Sequence, residues 1–284
     1  MSPFKFFVAA AGVIGTILIA AVLLQLHVSE PRVAHTPKSV LSGTFSTERG
    51  GYGCRRFPEH SEVCLNTSSA VRYSFSGNSR KIELLAGEAL FTVNSGDKRP
   101  FEVSSGDVEI RDMGTIFDVY RRTDGTTLVT VISGRVKIMP TIDAATSQAE
   151  QQSAWDAAPE FHRLQQVEFD SVSHSLRARH RLTEENLSQL MAWQQGSIIL
   201  NGRTVTEAFA EFSRYQAIKK VIIPDKALRS LKVGGNIKAT SVRDFLDYLH
   251  AVHGLTYSIT RDAEGKMTVI LSRPQAEPDQ RHGN

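Results

Sequence analysis

VRYSFSGNSRKIELLAGEALFTV, from Val71 to Val93, decides how this chain is read. Val71, Tyr73 and Phe75 alternate with polar residues, SGNS (Ser76 to Ser79) breaks the run, and Ile82/Leu84 and Phe91/Val93 resume it. A period of two is that of a strand with one face buried, and the break has the composition of a turn. The pattern extends both ways. Val63/Leu65 precedes it; Phe101/Val103, Val108/Ile110, Phe117/Val119 and Val129/Val131 follow. Between them lie NSGDKRP, SSGD, RTDGT and SGR. Short strands separated by turn signals about every ten residues predict an all-β domain over 43–139, a sandwich or a coiled β roll.

Beyond Trp193 the period changes. TVTEAFAEFSRY (Thr204 to Tyr215) places Val205, Ala208, Phe209, Phe212 and Tyr215 on one helical face. Thr204 and Glu207 have the spacing of a capping box. SVRDFLDYLHAVHG repeats the scheme 37 residues on, with Ser241 to begin a helix and Gly254 to end it. Strands are expected near SIIL, KVII, VGGNIK, LTYSI and MTVIL, so 190–273 reads as a small α/β domain built of two similar units. Residues 140–189 read as a linker, with Leu164–Val172 and Ser175–Leu182 placed to add a β hairpin. The polar tail 274–284 is expected to be disordered.

Phe6 to Leu26 is uncharged and almost wholly apolar. At 1.5 Å per helical residue it covers a hydrocarbon core of about 30 Å. It is read as a transmembrane helix (6–26) after a stub (1–5) and before a linker (27–42). A cleaved signal peptide is the rival reading, disfavoured by the length of the apolar run and the lack of a small-residue cleavage site. Either way the rest is exported, and in an oxidising compartment Cys54 and Cys64 form a plausible disulfide. Lys plus Arg number 33 against 30 Asp plus Glu, a surplus too small for a nucleic-acid binder. Two cysteines exclude a disulfide-dense scaffold and a four-thiolate metal site.

The chemistry-bearing motifs are few. There is no P-loop, G-x-G-x-x-G, G-x-S-x-G or H-E-x-x-H. His250 and His253 lack a third ligand and suit a helix C-terminus. RARHR (Arg177 to Arg181) reads as a solvated strand edge. No acid, base and nucleophile assemble, so no enzyme acting on an external substrate, no cofactor and no metal are expected. Gly114-Thr115 is the exception: a threonine hydroxyl can attack the preceding carbonyl, turning the amide into a hydrolysable ester where the backbone is strained.

Several motifs in order resemble the FecR family of cell-surface signalling regulators. They are Leu65-Asn66-Thr67-Ser68-Ser69, then GEAxFxV on Gly87, Glu88 and Phe91, and RPFxV on Arg99, Pro100 and Phe101. GTxFxV on Gly114, Thr115 and Phe117, and GxV on Gly134, follow. Trp193 and the two-fold α/β unit also look like this family, whose C-terminal part is similar to the short N-terminal domain of secretins and TonB-dependent receptors. The resemblance implies a single-pass protein of the bacterial inner membrane with its bulk in the periplasm. It implies binding to the signalling domain of an outer-membrane TonB-dependent receptor in iron transport. It also implies regulation of an extracytoplasmic-function sigma factor, in the manner of an anti-sigma factor, and in some members self-cleavage at the Gly-Thr pair. Family members carry a cytoplasmic anti-sigma domain before the span; only Met1 to Lys5 stand there in this sequence, so sigma-factor contact is expected to be indirect. The alternative function is an envelope structural or secretion adaptor using the secretin-like domain.

Overall fold

A computed structural model describes residues 40–274 except 113, 143, 144, 171 and 172. The apolar stretch 6–26, the stub before it, most of the following linker and nearly all of the tail lie outside the described residues. Among the described residues no helix is long and apolar enough to cross a membrane.

Ten strands run in order through the first domain: β1 (Leu41–Ser46), β2 (Gly53–Arg56), β3 (Glu62–Leu65), β4 (Ala70–Phe75), β5 (Arg80–Thr92), β6 (Phe101–Ser105), β7 (Val108–Asp112), β8 (Ile116–Arg121), β9 (Thr126–Ser133) and β10 (Arg135–Pro140). The long strand β5 organises them. Its residues up to Ala86 pair with β4 and, in parallel, with β6; from Gly87 onward it pairs with β3 and β8. One sheet is thereby divided into two wings that curl over a shared core. The bend needs glycine. Gly87 has φ +77°, and a Cβ there would lie 2.2 Å from Ser69 Oγ and 2.7 Å from the Ser68 carbonyl oxygen. The carbonyl, and Ser69 Cα also at 2.7 Å, are backbone and cannot turn aside, so any side chain forces the wings apart.

The core between the wings is the inward half of the alternation. Val63, Leu65, Val71, Leu84, Val119 and Val131 are fully buried. The motif phenylalanines are its centre: Phe91 stacks on Phe117 with centroids 5.0 Å apart and meets Phe101 edge-on at 6.2 Å.

Residues 140–181 depart from the linker reading. They form helix α1 (Gln148–Ala157) and strands β11 (Glu160–His162), β12 (Gln165–Asp170) and β13 (Ser175–Arg181). β11 extends the first wing beside β10; β12 and β13 extend the second beside β9. β12 and β13 are the hairpin foreseen. α1 carries no apolar period because it is held mainly by Trp155, packed on Met139 with the Arg111 guanidinium 4.3 Å over its ring. The RARHR run is β13 itself, an outer strand with mostly exposed residues; charge on such an edge deters further pairing.

The second domain opens with α2 (Glu184–Met191) and a 3₁₀ turn at Ala192–Gln195. Then come β14 (Ser197–Ile199), β15 (Arg203–Thr204), α3 (Val205–Tyr215), β16 (Ile218–Ile222), α4 (Lys226–Arg229), β17 (Lys232–Val233), β18 (Asn236–Lys238), α5 (Val242–His253), β19 (Thr256–Arg261) and β20 (Met267–Ser272). Thr204 and Glu207 form the capping box of α3; Ser241 caps α5, which ends at left-handed Gly254. The two units meet through β14 and β18, and Phe212 stacks on Phe245 at 5.1 Å. A three-stranded sheet in the order β16-β20-β19 completes the domain.

Candidate functional site at the joint between the two domains

The second wing buries both of its faces, which alternation alone does not foretell. Its outward residues Cys64, Glu88, Leu90, Asp118 and Thr130 are all buried. The α/β domain covers them: Cys64 and Leu90 belong to its core, with Trp193 against them. Register sets Glu88 of β5 opposite Tyr120 of β8, and Asp118 opposite Leu90. Two carboxyl groups therefore lie side by side on a covered sheet.

Arg214, near the end of α3, reaches into this face. Its guanidinium pairs with the Glu88 carboxylate, donates to Glu211 Oε1 at 2.7 Å and lies 4.2 Å over the Tyr120 ring. Asn66, just after β3, donates its amide to Glu88 Oε2 at 2.6 Å and to the Tyr215 hydroxyl at 3.0 Å. The Thr67 hydroxyl donates to the Arg214 carbonyl at 3.2 Å and accepts from the Gly50 amide at 2.7 Å. Three elements of one domain and one helix of the other thus share a buried polar clasp.

Burial, and then the negative charge of Glu88, push the Asp118 carboxyl well above the usual carboxylate range. It keeps a proton and hydrogen-bonds Glu88, while its Oδ1 finds no partner among the described residues. Burial works against the charge of Arg214, but Glu88 and Glu211 outweigh it and hold the guanidinium firmly protonated. Burial also raises Tyr215 and Tyr120. The clasp thus sets one guanidinium against a carboxylate and a carboxylic acid beside two phenols, buried at Glu88, Asp118 and Tyr215 and half-buried at Arg214 and Tyr120.

The remaining motif residues divide between structure and a second polar cluster. Arg99 ion-pairs with Asp97, whose carboxyl its hydrogen bonds hold at about 2. The carbonyls of Arg99 and Pro100 accept from buried Arg80, at 2.6 Å from its Nη2 and 3.1 Å from its amide. Cys54 and Cys64 face each other across β2 and β3 and form a disulfide. His250 bonds the Leu255 carbonyl through Nδ1 at 2.8 Å. Among the described residues the one cluster with metal-ligand chemistry is Cys54, Glu62 and Cys64, and its two sulfurs are joined.

Gly114 and Thr115 sit between β7 and β8. The Thr115 hydroxyl is buried against the Asp112 carboxylate and lies 2.8 Å from the Arg135 carbonyl oxygen. The other Asp112 oxygen accepts from the amides of Gly114 and Thr115, each at 3.0 Å. Gly114 has φ +138°, and a Cβ there would come within 2.4 Å of Ser95 Cβ. Gly134 packs on the same threonine, its Cβ position 3.0 Å from the hydroxyl oxygen.

Sequence reasoning singled out Glu88 and Trp193 but not Asp118, Tyr120, Arg214 or Tyr215 as their partners. The available signal was local: Glu88 and Asp118 are charged residues inside the apolar runs LLAGEALF and IFDVY.

A curled, two-winged β domain clasped through buried charge to a two-fold α/β domain defines a two-domain protein built around its internal joint. Residues 43–137 match the family described as FecR protein. Two crystal structures of a candidate anti-sigma factor from Parabacteroides distasonis share the fold. Each aligns with a TM-score of 0.57 at 19% identity, covering 83% and 82% of this chain and 100% of the other. A comparison with curated protein sequences gives no match.

Proposed function

We propose that this protein is a membrane-anchored periplasmic sensor in sigma-factor regulation. Its α/β domain, of the secretin and TonB short N-terminal kind, receives the signalling domain of an outer-membrane TonB-dependent receptor, in iron uptake. The observation that carries the reading is the position of α3. One flank of this helix holds Glu211, Arg214 and Tyr215 in the clasp. The other, through Phe209, Ala210 and Ser213, lines an open cleft of about 570 Å³ beside β16. β16 pairs only with β20 among the described residues, so its outer edge is open to an added strand. A strand docked there presses on the helix that carries Arg214, and the load passes into the FecR domain. The family match over residues 43–137 supports the sigma-factor end of the relay. The test is capture of a co-encoded receptor's signalling domain by the purified protein. Binding lost in a Val221→Pro variant supports the reading, and no binding to any co-encoded receptor overturns it.

Self-processing between Gly114 and Thr115 belongs to the same proposal, supported by the Asp112 carboxylate on the Thr115 hydroxyl. Thr115 Oγ adds to the Gly114 carbonyl carbon as its proton passes to Asp112. The C–N bond breaks, the amine leaves with that proton, and an ester remains. Water hydrolyses the ester to a Gly114 carboxylate and a free Thr115 hydroxyl. Intact mass of the purified protein reads the nick. An unsplit wild type matching Thr115→Ala would end the idea.

A further inference from the structure

We propose that the Cys54–Cys64 disulfide is a thiol-exchange site: an external dithiol opens it at Cys54, and its opening unseats Trp193 from the joint. The proposal does not depend on which partner the α/β domain receives.

The two sulfurs are unequal. Cys54 lies on β2, the outermost strand of the second wing at that side, and is exposed. Cys64 is 6% exposed and packs with Leu90 and Trp193 beneath the α/β domain. An attacking thiolate must approach the far side of the sulfur it attacks, so only Cys54 can be reached. A new bond forms between the dithiol sulfur and Cys54 Sγ as the bond to Cys64 Sγ breaks. The Cys64 sulfur leaves with the electron pair and takes up a proton, favoured by its apolar surroundings and the Glu62 carboxylate 3.9 Å away. The second thiol of the reagent resolves the mixed disulfide. The dithiol is oxidised to a disulfide and the protein gains two thiols.

The same bond holds the Trp193 seat. The indole is buried, and its Nε1 has no hydrogen-bond partner among the described residues, so packing alone retains it. Part of that packing is Tyr52, with ring centroids 5.7 Å apart and planes tilted by 60°. Tyr52 is 51% exposed, and its hydroxyl donates to Cys54 Sγ at 2.9 Å. A cleft of about 470 Å³ opens at Tyr52, between it and Met191, Gln194 and Asn236. β2 is four residues long and, among the described residues, pairs only with β3, to which the disulfide is its one side-chain covalent link. Reduction leaves that short edge strand to fray, and Tyr52, next but one to Cys54, moves with it.

The test uses the full-length protein with dithiothreitol as the reductant and Trp155→Phe to leave Trp193 as the fluorophore. Expected are two titratable thiols in the folded protein, a red shift of Trp193 emission, and roughly tenfold faster amide exchange over 50–57 and 192–196. A Cys54→Ser/Cys64→Val variant should show the shifted emission without reductant and ignore dithiothreitol. Two results overturn the proposal: a disulfide that resists dithiothreitol until denaturant is added, or two new thiols with Trp193 emission unchanged. The wild-type measurement stands alone should the double variant fail to fold.

Discussion

Replacing Arg214 by Ala tests the clasp most directly, because it removes the cation paired with Glu88. The side chains of Arg214 and Glu88 are 19% and 5% exposed, so solvent offers little screening. Breaking a buried pair from one side costs about 3–5 kcal/mol. Most of this is the cost of leaving the Glu88 carboxylate without its cation, and the guanidinium lying over the Tyr120 ring is lost with it. The expected loss is about 4 kcal/mol, the middle of that range. Urea denaturation measures it, and hydrogen exchange should show α3 opening first. Adding Glu88→Gln should restore more than half of the loss, since the orphaned charge is gone. A loss under about 1 kcal/mol, or no recovery in the double variant, refutes the reasoning.

Other expectations follow from the same geometry. Asp118 binds its proton in the folded state at pH values where the unfolded chain has released it. Stability should therefore fall as pH rises above about 4, by up to about 1.4 kcal/mol per unit, until the folded group also ionises. Asp118→Asn keeps a donor to Glu88 and should flatten that slope; parallel denaturation profiles from pH 4 to 8 would contradict it. Gly87→Ala meets both positive φ and the fixed Ser68–Ser69 backbone, and should lower stability by about 2 kcal/mol or more. Phe91→Ala should cost about 3–5 kcal/mol through the cavity between Phe101 and Phe117, read as a lower urea midpoint at unchanged slope. Asp112→Asn leaves the Thr115 hydroxyl without its base and should halt any splitting at Gly114, as Thr115→Ala should, by intact mass.

Much of this protein was legible from residue order. The alternation of Val71, Tyr73 and Phe75 marks a strand because side chains on a pleated chain point to opposite faces, a local rule that needs no partner. The stripe Val205, Ala208, Phe209, Phe212 and the Thr204–Glu207 box define α3 for the same reason. Helix α1 and the strands of 140–181 were not legible, since a single tryptophan on a cation carries α1 and no period announces it. Nor was the clasp. Asn66, Glu88, Asp118 and Arg214 are far apart in sequence, and each is unremarkable alone. Only the bend at Gly87 and the seating of α3 on the second wing bring them within hydrogen-bond reach. Periodicity is a property of neighbouring residues and is written in the sequence. The desolvation that turns Asp118 into a neutral acid beside a charged Glu88 belongs to two domains closing on each other, and tertiary structure alone decides it.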